Sequence, residues 1–147
     1  LNNGRIVYIL SKLSETYRNS KTEQLKVTGQ LTVEHLMPQA WVAHWLLSDG
    51  SRGINNPWSV PADDPQALAT RARSAIVQTF GNLTLITGSL NSAISNGAWA
   101  TKRAAIEANS LLPINLQLRS AETWDEVAIE RRGRDLLCRA LKLWPRG

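Results

Sequence analysis

Sulfur and long apolar runs are scarce in this chain. There is one cysteine, Cys138, so an internal disulfide is excluded, and no Cys/His spacing suits structural zinc. A reducing compartment, the cytoplasm, is the expectation. No apolar stretch approaches the roughly 20 residues that a membrane-spanning helix needs, so no membrane role is expected. No secretory signal, low-complexity tract or internal repeat is visible in these residues. Cys138 lies among Leu136, Leu137, Ala140 and Leu141 in a helical pattern, which predicts a small buried hydrophobe rather than a nucleophile.

What is present is ordinary in bulk. The 147 residues are 43% hydrophobic and 20% charged, enough for one domain, residues 1–147, with a core of its own. The chain opens at Leu1 in a pattern that already looks helical, which suggests a domain cut from a longer protein. Lys and Arg number 17 against 12 Asp and Glu, a net charge of +5. That balance suits a polyanionic partner such as DNA, and a basic domain without one is the plain alternative.

Periodicity organises the chain into helices around two short β-type runs. Ile6, Val7, Leu10, Leu13 and Tyr17 recur at helical spacing over 4–19, and Leu68, Ala72, Ala75, Ile76 and Phe80 do so over 66–79 and just beyond. Residues 98–109 and 123–143 continue the pattern. Residues 20–29 read as a loop or short hairpin, and 48–65, rich in Gly, Asn, Asp and Pro, as a long surface loop. Pro38 suits the first turn of a helix that would carry Trp41 and Trp45 on one face. The β-type runs are 31–33 and 83–87. Ser89 is placed to cap a helical turn over 90–94, which Asn96 and Gly97 would break. Residues 111–118, with Pro113 among them, read as irregular or strand-like. The predicted fold class is α+β and mostly helical.

Several side chains around the β-type runs make poor core material. Glu34 and His35 end the first run. Asn82 opens the second, and Asn91, Ser95, Asn96 and Lys102 follow it. A carboxylate, a histidine and spaced amides would hold one hard divalent ion beside a proton acceptor, chemistry that suits phosphodiester cleavage. As a general base His35 needs a near-neutral pKa and a second partner to fix it. The alternative is a structural histidine. Glu34 and Asn91 offer the oxygens such an ion prefers, and their alternatives are a solvated charge and a helix cap. Neighbouring strand residues point to opposite sides, so Glu34 and His35 reach one ion only if the backbone bends there. Asn82, after Gly81, reads as a support tying down the loop that carries His35, or as a plain turn residue. Lys102 and Arg103 would contact phosphate or face solvent.

Three motifs now stand together: Glu34-His35-x-x-Pro38-Gln39, Gly81-Asn82-Leu83-Thr84-Leu85, and Leu90-Asn91-x-x-x-Ser95-Asn96-x-x-Trp99-x-x-Lys102. The set resembles the HNH, or His-Me finger, endonucleases, and more narrowly the C-terminal nuclease domain of GmrSD-type modification-dependent restriction enzymes. The likeness is specific from Thr32 to Lys102 and continues through Trp124, Ile129, Arg132, Leu136, Ala140 and Trp144. It implies a ββα-metal core, with 31–33 and 83–87 as strands and a helix starting near Ser89. It implies His35 as general base and Asn82 as the asparagine that orders the loop. It implies Glu34 and Asn91 as ligands of a single Mg²⁺ or Mn²⁺, Glu34 standing where related enzymes commonly carry Asp. A long insert between the strands, here 36–82, is normal for the GmrSD-like group. The implied activity is endonucleolytic cutting or nicking of DNA in anti-phage restriction. His35 takes a proton from the attacking water, and the ion stabilises the added charge and the departing 3′ oxygen. By the same resemblance this is the C-terminal part of a protein whose N-terminal portion is a ParB-like nucleotide-hydrolysing domain.

DNA contact would fall to Lys102, Arg103, Arg131, Arg132 and Arg134. For the last helix the alternative is a solubilising face with ion pairs such as Glu130–Arg134, and Arg132 also fits that helix's packing pattern. Trp41, Trp45, Trp99, Trp124 and Trp144 sit at apolar helical spacing and belong to the core. Trp58, in the long loop, would stack on a base or sugar, or pin the loop. Two rival readings remain: a non-catalytic DNA-binding module on a degenerate HNH scaffold, and a helical protein-interaction module.

Overall fold

The computed structural model describes residues 2–19, 29–94 and 97–146. Local signals start its longer helices. Helix α1, Asn3–Glu15, begins where the Asn2 side chain accepts from the Arg5 amide at 3.0 Å. Helix α2, Pro65–Val77, begins where Asp64 accepts from the Ala67 amide at 2.8 Å, with Pro65 preset for the first turn. Three shorter helices follow: α3 over Gly88–Ile94, α4 over Trp99–Asn109 and α5 over Pro113–Leu116. The last, α6 over Glu126–Leu143, is capped by Asp125 on the Ala128 amide at 2.9 Å.

Strands β1, Leu31–His35, and β2, Leu83–Thr87, pair antiparallel, with Leu31 opposite Thr87 and His35 opposite Leu83. A lone two-stranded sheet is marginal in water. Here helices cover both faces. Leu83 and Leu85 pack with Leu10 and Leu13 of α1, Ile114 of α5 and Leu136 of α6. Ile86, on the alternate face, packs with Leu90 of α3, Trp99 and Ile106 of α4, and Ile129 of α6. Trp99 and Trp124 stack in this second cluster with ring centroids 5.0 Å apart. The architecture is α+β and mostly helical.

The insert between the strands is a closed excursion. It leaves at Leu36 and returns at Asn82, whose carbonyl accepts from the Leu36 amide at 2.9 Å. Buried Arg73 of α2 ties it to the rest. Its guanidinium donates to the Leu46 carbonyl and, at 2.9 Å, to Glu126 Oε2 on α6.

Some expectations fail. No α-helix follows Pro38: only a 3₁₀ turn, Trp41–Ala43, forms, although Trp41 and Trp45 are both buried. Tertiary bonds occupy the backbone there, since Met37 gives both its N–H and its C=O to the Asn82 side chain. Residues 111–118 are not a strand. They form α5 and the start of a 3₁₀ turn, because the fixed φ of Pro113 suits a first helical turn. Cys138 is exposed, not buried. It lies two residues beyond buried Leu136, roughly 200° around α6 and so on the far side. Trp144 sits past the last turn and is 42% exposed. The predicted loop at 20–29 lies, apart from Gly29, outside the described residues, as do Ser95 and Asn96. Among the described residues no helix is long and apolar enough to cross a membrane.

Candidate active site

Strand β1 runs unbroken through Glu34 and His35, and the backbone bends only after them, at Leu36 and Met37. Alternation therefore sends the two side chains to opposite faces. Glu34 turns inward, where its Oε1 accepts from Lys102 Nζ at 2.6 Å. The same ammonium donates to the His35 carbonyl at 2.7 Å. Lys102 reaches this point because it shares the buried stripe of α4 with Trp99 and Ile106, and it is 0% exposed. Burial lowers its pKa from the ordinary lysine value, and the bond to Glu34 opposes that shift.

His35 is half-buried, with Nε2 3.3 Å from Oε1 of Gln78. That oxygen also accepts from Gln39 Nε2 at 3.2 Å. An amide oxygen only accepts, so the neutral ring carries its proton on Nε2 and leaves Nδ1 as the acceptor. Burial holds the imidazole pKa below its usual 6.5. The Gln78 bond and the Glu34 charge oppose that shift, and the Lys102 charge adds to it. The balance favours the neutral ring, the form that can take a proton.

Asn82, 0% exposed, uses all of its side-chain hydrogen-bonding capacity. Oδ1 accepts from the Met37 amide at 2.8 Å and from Trp124 Nε1 at 3.0 Å. Nδ2 donates to the carbonyls of Met37 at 2.8 Å and Val77 at 2.9 Å. One amide thus joins the exit of β1, the end of α2 and Trp124, two residues before α6. The Gly81–Asn82 turn is braced from behind by Arg132, whose Nη1 donates to the Gly81 and Leu83 carbonyls at 2.8 and 2.7 Å. Burial lowers the Arg132 pKa to about 10, which leaves it charged at neutral pH.

Asn91 meets the strand elsewhere. Its Nδ2 is 3.5 Å from Thr32 Oγ1, at the edge of a groove shared with Asn3, Gln30 and Val33. Thr32 precedes His35 by three residues, about 10 Å of strand. Lys102 therefore joins Glu34 to the His35 carbonyl at the β1 exit, Asn82 holds Leu36 and Met37 just beyond it, and Asn91 approaches β1 toward its start. Thr32 and Glu34 share a strand face, so Asn91 and Glu34 border the same side of the sheet.

A hard divalent ion takes one or two carboxylates, neutral oxygens and water. Glu34 and the Asn91 amide are oxygen donors of that kind on one face of β1, and the His35 ring lies on the other, so an ion there would not be shared with His35. Lys102 occupies Oε1 of Glu34, and the second carboxylate oxygen has lone pairs for another cation. Among the described residues no three His, Cys, Asp or Glu side chains converge, so most of the coordination would fall to water and substrate.

The basic residues divide by burial. Lys102 and Arg132 are bonded inside the fold and do not present a charge to an outside phosphate. Arg103 is half-buried, with Nη1 on the Ala121 carbonyl at 3.2 Å. Arg131 and Arg134 are exposed, and Arg134 pairs with Glu130 at 3.2 Å. Sequence reasoning passes over Gln78, the partner of the His35 ring, because a glutamine at a helix end carries no distinctive spacing.

The fold and cluster define a mostly helical α+β domain with a histidine held at the exit of a two-stranded sheet. The chain belongs to the family of GmrSD restriction endonucleases, C-terminal domain, whose family model matches residues 1–138. No curated protein and no solved structure matches it. Family membership assigns it to restriction endonucleases, nucleases that act on DNA.

Proposed function

We propose that this domain hydrolyses phosphodiester bonds in DNA by metal-assisted chemistry of the HNH type. The reading rests on the setting of His35. Its Nε2 meets Gln78, its carbonyl is held by Lys102, and its exit loop is clamped by Asn82. A general base needs fixed geometry before its proton affinity matters. His35 Nδ1 takes the proton of a water as that water attacks phosphorus. The bond from phosphorus to the 3′ oxygen breaks, and the leaving oxygen is protonated from solvent. Glu34 and Asn91 would hold one Mg²⁺ or Mn²⁺, which when bound neutralises charge on the phosphate. Asn82 and Lys102 act through the loop and the Glu34–His35 junction and are positioning residues. Phosphate contact on the outside falls to Arg103, Arg131 and Arg134. Nicking, anti-phage defence, a cytoplasmic setting and an N-terminal ParB-like domain belong to the same proposal.

The test is cleavage of supercoiled plasmid. The protein should cut in Mg²⁺ or Mn²⁺ and not with chelator. Folded His35→Ala should be slower by roughly 10² or more, the lower range for positioned proton transfer. Cutting by that variant at the wild-type rate removes His35 from the mechanism. That no three His, Cys, Asp or Glu side chains converge among the described residues favours one second reading, a DNA-binding module without catalysis. Salt-sensitive DNA binding with no metal-dependent cutting by the wild type would select it.

A further inference from the structure

Among the described residues Trp58 is the most exposed large hydrophobic side chain, at 77%, while Trp41, Trp45, Trp99 and Trp124 are buried. It is nonetheless held in place. The Arg71 guanidinium lies over its ring, 5.0 Å from the centroid, and Nη2 of the same arginine donates to the Ala62 carbonyl at 2.6 Å. Arg71 thus ties the loop to α2 and backs the indole, and most of the indole still meets water. Burial cannot be what Trp58 gives the fold.

Its place beside α2 suggests what else it gives. Arg71 and Gln78 are seven residues apart, two helical turns less about 20°, so they share a face of α2 about 10 Å apart along its axis. Ser74 lies between them on the same stripe and, like Gln78, is exposed. Gln78 touches His35. An open polar track therefore runs from an arginine-backed indole to the imidazole.

We propose that Trp58, backed by Arg71, is a stacking platform for a nucleobase of the DNA strand, a few nucleotides from the phosphate presented to His35. This rests on the nuclease reading and adds a subsite to it. Aromatic rings stack on any base face, and a cation over the far side of the ring strengthens the contact. The platform therefore favours an unpaired or flipped base over one particular sequence.

The test uses the full-length protein and short DNA strands with one abasic position moved along them. Binding is read by fluorescence anisotropy and cutting by single-turnover rate at saturating DNA. Trp58→Ala should weaken binding roughly 5- to 150-fold, the range for loss of one base stack, and Trp58→Phe by less. The single-turnover rate at saturation should be unchanged. One abasic position should weaken wild-type binding and leave Trp58→Ala unaffected. Equal binding by wild type and Trp58→Ala overturns the platform, as does an abasic profile identical in the two. If the wild type binds DNA and never cuts, the nuclease reading fails on its own, and the abasic comparison still decides the platform.

Discussion

A lysine with no exposed surface needs partners for its charge, and Lys102 has the Glu34 carboxylate and the His35 carbonyl. Removing one member of a buried pair leaves the other charge stranded, at a cost of about 3–5 kcal/mol. Lys102→Met should lose stability on that scale in urea unfolding, and adding Glu34→Gln should restore most of it. If the double variant is no more stable than the single one, the pair does not carry the loss. His35 allows a prediction in pH. Burial holds its pKa below 6.5, so the ring is still neutral as pH falls to that value. The acid limb of kcat/KM should therefore lie below pH 6.5. Gln78 favours the charged ring, so Gln78→Ala should move the limb lower still. A limb above 6.5, or a shift upward in that variant, would contradict this electrostatic picture.

Helix α6 and the turn before β2 meet at two glycines. A Cβ on Gly81 would stand 2.1 Å from the Ile129 carbonyl oxygen and 3.0 Å from the Gly133 nitrogen. Both neighbours are helix backbone and cannot move aside cheaply. Gly81→Ala should destabilise by about 1–3 kcal/mol or more, and it should slow cleavage by shifting Asn82. Gly88→Ala, where a Cβ meets nothing within 4 Å, is the control. Equal melting temperatures for the two variants would show that the close approach does not matter. Helices α2, α4 and α6 were legible in sequence because their apolar spacing is local. The Pro38 segment was not, because its backbone bonds go to an asparagine 45 residues away.

Viewed whole, the basic character splits into charge that holds the fold and charge that faces out. Arg73, Lys102 and Arg132 are buried, while Arg131 and Arg134 are exposed. Each lost phosphate contact lowers the salt slope of DNA binding by about 1. Arg131→Glu with Arg134→Glu should lower it by about 2 in anisotropy titrations across salt. An unchanged slope would mean that DNA approaches another face. From the sequence came the α+β class, both strands, most helices, and the residues that carry the likeness to the GmrSD family. Those features depend on spacing and residue type, which local physics reads directly. Three things came only from contact across the fold: the burial of Lys102, the Gln78 partner of His35, and the approach of Asn91 to β1 at Thr32. A charge has no sign of burial in one dimension. Whether it meets water or a carboxylate is decided when segments distant in the chain close around it.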